Sequence, residues 1–327
     1  MNIALTYFCN QKCPYCFAQD AILSYRGLAA SREMGIPNLK KVLNFMKNSG
    51  IERFNMIGGE PTLHPEFEKI YDIITGCGLS VTIFSNGVID KQRVEFLAEK
   101  DNLINVLVNI RTPVEYSKKD WKKILFVLSQ LNKKVILSYR IYKIDFDLTF
   151  LFDLIDRYQL KRLINLAIAC PSLVSDNVHP PLEKHREIVE RMVEFSYESK
   201  KRNIRWYPDY GFILCAFTKE NLKKLKMNTG FVPLTNCYPP IEVAPDLRVF
   251  RCFGLASQSK HGLKITDFKN LQEAERYFFS RSLVFKRIGA LEKCFKCRYL
   301  INQKCGGGCM VHILKRLPRY QNLTPIF

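Results

Sequence analysis

The sequence predicts an α/β fold of parallel strands and helices, followed by a smaller cysteine-rich segment. Over the first 200 residues, short apolar runs typical of buried strands alternate with amphipathic runs typical of helices. Strict alternation of this kind implies parallel strands joined by right-handed crossovers. After residue 203 the pattern changes, because turn residues and cysteines become frequent. We therefore expect two domains, at residues 1–203 and 204–327.

The predicted strands and helices follow one another in a regular order. The strands are Ile3–Phe8, Arg53–Ile57, Ser80–Phe84, Ile104–Ile110, Val135–Ile141 and Leu163–Ala169. The helices are Leu39–Lys47, Pro65–Ile74, Lys91–Glu99, Trp121–Leu131, Phe150–Tyr158 and Leu182–Lys201. Loops at the carboxyl ends of parallel barrel strands build active sites, so the residues that directly follow each strand are the first candidates for chemistry.

The composition is that of a globular protein. The chain has 327 residues, of which 47% are hydrophobic and 25% charged. No apolar run approaches the roughly 20 residues that cross a membrane. Met1 leads straight into a predicted strand, so we expect no signal peptide and no leader-binding domain before the barrel. Twelve cysteines without a secretory signal indicate metal ligation in a reducing compartment, and we expect a cytoplasmic protein.

The chain is strongly basic, with a formal net charge of +19. Most of the basic residues fall as pairs on predicted helix surfaces and loops, which is typical of a solvated surface. The alternative is an acidic partner, either a peptide with an acidic leader or RNA. No recognisable RNA-binding module accompanies the charge, so nucleic acid is the less favoured of the two.

The most informative motif is the C-x3-C-x2-C spacing of Cys9, Cys13 and Cys16 in TYFCNQKCPYCF. A four-iron, four-sulfur cluster usually takes four cysteine thiolates. Three thiolates on one loop hold three irons and leave the fourth open for chemistry. A zinc site usually shows paired C-x2-C units or histidines, and disulfides are rare in the cytosol. The spacing therefore favours an open iron–sulfur cluster.

A second motif, RFNMIGGEPTLHP, contains Gly58, Gly59 and Glu60 at the end of an apolar strand. Together the two motifs resemble the radical S-adenosylmethionine (SAM) superfamily. The resemblance implies a partial (β/α)6 TIM-like barrel and a [4Fe-4S] cluster whose open iron chelates SAM. It further implies reductive cleavage of SAM to a 5′-deoxyadenosyl radical that abstracts hydrogen from a substrate, with flavodoxin or ferredoxin as the electron donor.

The resemblance also implies which residues contact SAM. Gly58, Gly59 and Glu60 are expected to present acceptors to its ammonium group, and Tyr15 matches an aromatic position near the adenine. Arg140 is expected to pair with the SAM carboxylate, because a guanidinium suits bidentate contact. Further polar residues lie on later strands: Ser85, Asn86 and Asn109 at strand ends, and Ser138 on the same face of the fifth strand as Arg140. The sequence names no catalytic acid or base.

The C-terminal segment carries a second cysteine motif, EKCFKCRYLINQKCGGGC. It resembles the SPASM extension, an α+β cysteine-rich unit that holds one or two auxiliary iron–sulfur clusters in radical SAM enzymes. The candidate ligands are Cys215, Cys237, Cys252, Cys294, Cys297, Cys305 and Cys309. Three features depart from that pattern: Leu247 replaces the hairpin glycine, seven residues separate Cys297 from Cys305, and no cysteine follows Cys309.

These departures leave the ligand sets open. Cys237, Cys252 and Cys309 could hold one cluster, with Cys215 as a fourth ligand. A second cluster on Cys294, Cys297 and Cys305 would then lack a fourth ligand. Alternatively, the last four cysteines bind a single cluster, or form a zinc ribbon.

Three other residues have weaker interpretations. We interpret Cys170 and Cys77 as thiols that only pack in the structure, because free cysteine behaves as a small hydrophobe. His312 follows Cys309 directly and is a candidate for a missing cluster ligand, since histidine replaces cysteine on some clusters.

The favoured function is modification of a ribosomally made peptide, by crosslinking, epimerisation or a similar maturation step. The second interpretation is an enzyme acting on a small metabolite such as a sugar, an aminoglycoside or a nucleoside. A non-catalytic electron-transfer protein is the third, and the complete pair of motifs argues against it.

Overall fold

A nine-stranded, mostly parallel open sheet with helices against it forms the protein, and the predicted α/β class is confirmed. The computed structural model describes residues 1–24, 32–237, 239–258 and 262–317. The strand order is β7-β6-β5-β4-β3-β2-β1-β8-β9; the strands from β7 to β8 are parallel to one another, and β9 is antiparallel to β8. The strands are β1 Asn2–Thr6, β2 Arg53–Gly58, β3 Ser80–Ser85, β4 Leu103–Asn109, β5 Val135–Ile141, β6 Leu163–Ile168, β7 Arg205–Pro208, β8 Glu242–Val243 and β9 Val249–Phe250.

All six predicted strands are present, with ends that shift by at most two residues. A seventh parallel strand, β7, was not predicted, because it spans only four residues and ends in Pro208. It pairs with β6 and so extends the barrel sheet just past residue 203. The division of the chain at that residue stays a prediction.

The helices lie where amphipathic patterns placed them, with several additions. They are α1 Gln19–Ser24, α2 Ile36–Asn48, α3 Phe67–Gly76, α4 Lys91–Ala98, α5 Lys118–Leu131, α6 Thr149–Tyr158, α7 His185–Lys201, α8 Lys219–Thr229, α9 Leu271–Lys286, α10 Arg298–Ile301 and α11 Met310–Arg316. In α5 the Ser117 side chain caps the first turn by accepting from the Asp120 backbone N–H. None of the described helices is long and apolar enough to cross a membrane.

Strand β5 shows how the sheet separates its two faces. All seven of its residues are buried, although Ser138 and Arg140 are polar. Successive side chains alternate between faces, so Leu137 and Tyr139 enter the apolar core while Ser138 and Arg140 point to the other side. The second face carries polar groups that hydrogen-bond to the next strand, and it belongs to the functional site.

The C-terminal segment joins the barrel sheet through β8, which pairs with β1. A turn connects β8 to its antiparallel partner β9, and Leu247 in this turn has a φ of +74°. This left-handed conformation favours glycine and strains a leucine. The position thus keeps the left-handed conformation that glycine favours, while the Leu247 side chain is buried in the core.

Candidate functional site

The carboxyl ends of β1 to β5 bring the predicted site residues to one edge of the sheet. The cysteine loop follows β1, and its backbone turns back at the Cys13 carbonyl, which accepts from the Cys16 N–H at 3.1 Å. Electrostatic interaction links the Cys16 thiol to those of Cys13 and Cys9. The three predicted cluster ligands therefore lie close together on one loop.

The environment of these thiols keeps them neutral unless a cation approaches. Burial raises the pKa of Cys9 to about 11 and that of Cys16 to about 12. Burial also raises the pKa of Cys13, against the opposing effect of the nearby Arg111 guanidinium. Thiolates are the metal-binding form, so these side chains ionise when a metal compensates the buried negative charge.

Gly58 and Gly59 allow the end of β2 to run against the end of β1 and the start of the cysteine loop. A Cβ on Gly58 would lie 2.2 Å from the Thr6 carbonyl oxygen, and one on Gly59 would lie 2.2 Å from that of Phe8. The Gly59 and Glu60 N–H groups donate to the same two carbonyls, each at 2.8 Å. The two glycines thus permit a close approach between their own backbone and that of Thr6 and Phe8, at the start of the cysteine loop. Their contact with SAM stays a prediction.

The Glu60 side chain is fully buried and joins two segments, the chain after β2 and the end of β3. Its carboxylate accepts from the Thr62 hydroxyl at 2.7 Å, the Ser85 hydroxyl at 3.0 Å and the Asn86 N–H at 2.8 Å. Burial raises the pKa of Glu60, while these hydrogen bonds oppose the shift. The structure therefore gives Glu60 a positioning role between β2 and β3. Its predicted contact with the SAM ammonium remains untested.

Asn86 fastens the end of β3 to the cysteine loop. Its amide donates to the Asn10 side-chain oxygen at 2.8 Å and to the Cys9 sulfur at 3.6 Å. Asn10 in turn donates to the Val88 carbonyl at 2.8 Å. The predicted pair Ser85 and Asn86 thus contacts both the cysteine loop and Glu60. Asn10 was missed, although it lies beside Cys9 in the sequence.

Tyr15 and Asn109 also meet, at the end of β4. The Tyr15 hydroxyl donates to the Asn109 side-chain oxygen at 3.4 Å, and its ring lies 4.7 Å from that of Tyr142. The Tyr142 hydroxyl donates to Glu115. Tyr15 is therefore packed beneath the loop, next to the strand end that carries Asn109. Its predicted place near an adenine stays a prediction.

Arg111 is a site residue that sequence reasoning missed. It is buried, and its guanidinium donates to Gln11 at 2.7 Å and lies 4.4 Å from the centre of the Tyr116 ring. Its Nε is buried without a hydrogen-bond partner. The positive charge of Arg111 acts to lower the pKa of Cys13, against the effect of burial. A buried guanidinium with a spare donor beside the cysteine loop suits an anionic group.

Arg140, in contrast, already has a carboxylate partner. Its guanidinium donates to Asn165 at 2.9 Å and to Asp209 at 3.1 Å. The Ser138 hydroxyl donates to the same Asn165 oxygen at 2.8 Å. Asp209 follows the unpredicted strand β7, which is why the sequence gave no hint of this pair. Arg140 lies on the predicted face, and its pairing with SAM stays a prediction.

A groove of about 620 Å³ opens beside this edge, between the loop after β5 and helix α7. Tyr142 lines it and connects it to Tyr15 of the cysteine loop. Carboxylates dominate its charged residues: Asp145, Glu187, Glu190 and Glu194, against Lys143 and Arg191. The groove is therefore locally acidic on a chain that is basic as a whole.

Comparison with known proteins finds a family match for part of the chain. Residues 3–143 match the radical SAM superfamily. These residues, a little under half of the chain, therefore form a radical SAM domain. A SAM-dependent nucleotide dehydratase from a Thermoplasmatales archaeon (strain ISO4-H5) is 33% identical over 86 residues. That match spans 26% of this chain and only 28% of the relative.

Solved structures share the fold over nearly the whole chain. SuiB from Streptococcus suis bound to SAM has a TM-score of 0.67 at 16% identity, over 99% of this chain and 74% of SuiB. The enzyme anSMEcpe with bound SAM has a TM-score of 0.65 at 16% identity, over 99% of this chain and 95% of that one. SuiB bound to its precursor peptide SuiA has a TM-score of 0.63 at 15% identity, with 99% and 73% covered. The likeness includes the segment after residue 203.

The residues at this edge fit the cofactors that the radical SAM family implies, a four-iron cluster and SAM. The donors are the three cysteines of one loop, which leave one iron of a four-iron cluster open. The partnerless Arg111 Nε lies among groups that contact the loop. Within the described parts of the chain, no three His, Cys, Asp or Glu side chains are arranged to hold a single metal ion. A cluster places each thiolate on a different iron, so this arrangement is compatible with one.

The C-terminal cysteines fall into two groups. The Cys309 side chain interacts with those of Cys237 and Cys170, and electrostatically with Cys252. Cys252 also interacts with Cys237. This first group contains Cys170, which we had interpreted as a thiol that only packs. It is buried, but its neighbour is a predicted cluster ligand.

The second group lies around the turn that carries Cys294 and Cys297, where the Cys297 N–H donates to the Cys294 carbonyl at 3.0 Å. Cys215 interacts electrostatically with Cys294 and Cys305. The alternative that groups Cys215 with Cys237, Cys252 and Cys309 stays a prediction. His312, the other candidate for a missing ligand, packs its ring 5.7 Å from that of His179.

Proposed function

We propose that the chain is a radical SAM enzyme that abstracts hydrogen from a ribosomally synthesised peptide during crosslinking, epimerisation or a similar maturation step. The observation that carries the radical part is the three-cysteine loop at the carboxyl edge of a parallel sheet, within residues 3–143 that match the superfamily. The peptide part is supported by the open groove beside that loop and by the fold shared with SuiB, which has been solved with its precursor peptide.

Cys9, Cys13 and Cys16 would hold a [4Fe-4S] cluster, and the open iron would take SAM. When bound, the cluster and SAM would supply the low-potential electron, received from flavodoxin or ferredoxin, and the radical that abstracts hydrogen. The chain contributes positioning and exclusion of water. Glu60 and Asn86 do so indirectly, since their hydrogen bonds fix the loop that carries Cys9.

Arg111 is the better candidate partner for the SAM carboxylate. Its Nε has no partner, whereas the Arg140 guanidinium already meets Asp209. Asn109 and Ser138 supply neutral donors and acceptors of the kind that bind ribose hydroxyls. Arg140, neutralised by Asp209, would shape the wall of the same space. Tyr15 and the backbone at Gly58 and Gly59 would line the remaining side.

The groove suggests which part of a peptide lies nearest the site. Four carboxylates against two cationic side chains favour a neutral or basic segment there. An acidic leader would instead contact the basic surface that gives the chain its net charge of +19. We therefore propose a substrate with an acidic leader and a neutral or basic segment at the site of modification.

A small metabolite is the second candidate substrate. The observation that favours it is the 33% identity over 86 residues to a nucleotide dehydratase. That match covers little more than a quarter of either chain. A nucleotide carries several negative charges, which the carboxylates of the groove would oppose.

SAM cleavage tests the proposal directly. Anaerobically reconstituted protein with a low-potential reductant should form 5′-deoxyadenosine, and the triple variant Cys9→Ala, Cys13→Ala, Cys16→Ala should form none. Cys77→Ala, an exposed cysteine outside the site, is the matched control and should retain full activity. Peptides with acidic leaders should accelerate product formation and change in mass, whereas nucleotides should do neither. Equal product from wild type and triple variant would exclude radical SAM chemistry, and acceleration by nucleotides alone would favour the second candidate.

A further inference from the structure

We propose that eight cysteines form two complete four-thiolate iron–sulfur sites, with Cys170 as a ligand of the first and Cys215 as a ligand of the second. This rests on the auxiliary-cluster part of the predicted cofactors and goes beyond it, because it assigns the fourth ligands. The first set is Cys170, Cys237, Cys252 and Cys309. The second set is Cys215, Cys294, Cys297 and Cys305.

The first assignment follows from the position of Cys170 at the carboxyl end of β6. The Cys309 side chain interacts with the thiols of both Cys170 and Cys237, and Cys252 lies close to Cys237. The backbone agrees with this grouping. A Cβ on Gly254, two residues after Cys252, would lie 3.8 Å from the Cys252 sulfur and 3.9 Å from the Pro171 carbonyl oxygen. The loop after β6 therefore touches the turn that carries Cys252.

Positive charge accompanies the first set. Lys286 and Arg251 line the same small cavity as Cys237, Cys252 and Cys309, and Lys286 acts electrostatically on Cys237. Four buried thiolates need cations nearby, because a buried negative charge without compensation is costly. The cavity measures about 20 Å³ and the thiols contact one another, so a cluster at this place would require their side chains to turn apart.

The second assignment follows from Cys215, which lies in a short turn before α8. Its electrostatic neighbours include Lys293, Cys294 and Cys305. Gly289 packs directly against this group, since a Cβ there would lie 2.8 Å from the Cys294 sulfur. Cys215 thus fills the place of the terminal cysteine that the SPASM-like pattern lacks.

The partition accounts for every cysteine but one. The catalytic loop uses three of the twelve, and the two sets use eight. Cys77 is left over, exposed at the end of α3, where no cysteine lies near it in sequence. Each set has the four thiolates that saturate a four-iron cluster. Neither site then has an open iron, which suits electron transfer or structural clamping rather than substrate binding.

The experiment uses the triple variant that lacks Cys9, Cys13 and Cys16, so the result is independent of SAM chemistry. This background should contain about eight irons per chain, with matching sulfide. Adding Cys170→Ala should alter the electron paramagnetic resonance signal of one reduced cluster, by loss or by conversion to a three-iron form. Adding Cys215→Ala should alter the signal of the other. Cys77→Ala is the matched control and should change neither.

Conservative variants separate ligation from packing. Cys170→Ser keeps the size of the side chain and offers iron an oxygen, so it should shift the signal of the first cluster while circular dichroism stays native. A Cys170→Ser spectrum identical to that of the Cys77 control would overturn the first assignment. Alteration of the same signal by the Cys170 and Cys215 variants would overturn the partition. Stoichiometric zinc without sulfide in the background would overturn iron at both sites.

Discussion

The cysteines of the loop after β1 and the C-terminal cysteines are held in position in different ways. The cysteine loop is held by backbone hydrogen bonds to the chain just after β2, at Gly59 and Glu60, and by the buried Glu60 carboxylate. The C-terminal thiols lie on short turns, next to strands β8 and β9 of only two residues each. Hydrogen bonds within the fold position the cysteines of the loop. The C-terminal thiols depend instead on the group that binds them.

This difference teaches where metal binding contributes to folding. A preformed site uses protein interactions to position its ligands, and metal adds little to the fold around it. A site that joins distant turns converts its binding free energy into folding free energy. We therefore expect the barrel to fold without iron and the C-terminal segment to depend on it.

Removal of iron should have the largest effect. In protein stripped of iron under reducing conditions, amide hydrogens of residues 289–309 should exchange at least tenfold faster, because their backbone hydrogen bonds lie mostly within short turns that open locally. Strands β2 to β5 should keep their protection, since long parallel pairing and a continuous apolar core hold them. Hydrogen exchange measured by mass spectrometry checks both regions in one experiment. Equal loss of protection in the two regions would remove the contrast between them.

Loss of the Glu60 carboxylate should have the next largest effect. Glu60→Ala leaves the Thr62, Ser85 and Asn86 donors buried without their acceptor, at a cost of about 1–3 kcal/mol for each group left unsatisfied. We expect the free energy of unfolding to fall by about 3 kcal/mol, measured by urea denaturation of the iron-free chain. Glu66→Ala, which removes an exposed ion pair with Lys69 at the start of α3, is the control and should cost under about 0.5 kcal/mol. Similar losses in the two variants would mean that Glu60 does not organise the loop.

A smaller, pH-dependent effect is expected at the junction of the two regions. Glu242 in β8 accepts from Asn2 of β1, and burial raises its pKa from 4.5 to about 8. A raised folded-state pKa means that the neutral acid stabilises the fold below pH 4.5 and that this contribution is lost as the pH rises through 8. Glu242→Gln should therefore be increasingly more stable than wild type between these two pH values.

Thermal unfolding at several pH values checks the Glu242 prediction. The difference in melting temperature between Glu242→Gln and wild type should grow from pH 5 to pH 8. The exposed Glu292→Gln is the control and should show a flat difference. A flat profile for Glu242→Gln as well would show that the carboxyl ionises as it does in the unfolded chain.

Much of the barrel could be predicted from the sequence, because its signals are local. The six strands predicted from apolar periodicity are all present. Cys9, Cys13 and Cys16 fall on one loop because they are closely spaced in the sequence. Arg111 and Asn10 were missed, although both lie where a strand ends or beside a predicted ligand. Asp209 could not be found, since the short strand before it, with Pro208 at its end, carries no clear pattern.

The sequence by itself determined the parallel α/β class, the cysteine loop and the radical SAM motifs, because each depends on residues close together in the chain. Only the tertiary structure decided which thiol lies beside which. Cys170 and Cys309 are more than a hundred residues apart, and no local spacing can encode their contact. The same holds for Glu60, whose burial depends on Ser85 and Asn86 from the next strand. Crossover connections bring such residues together at one edge of the sheet, so long-range partners follow from strand order rather than from motif.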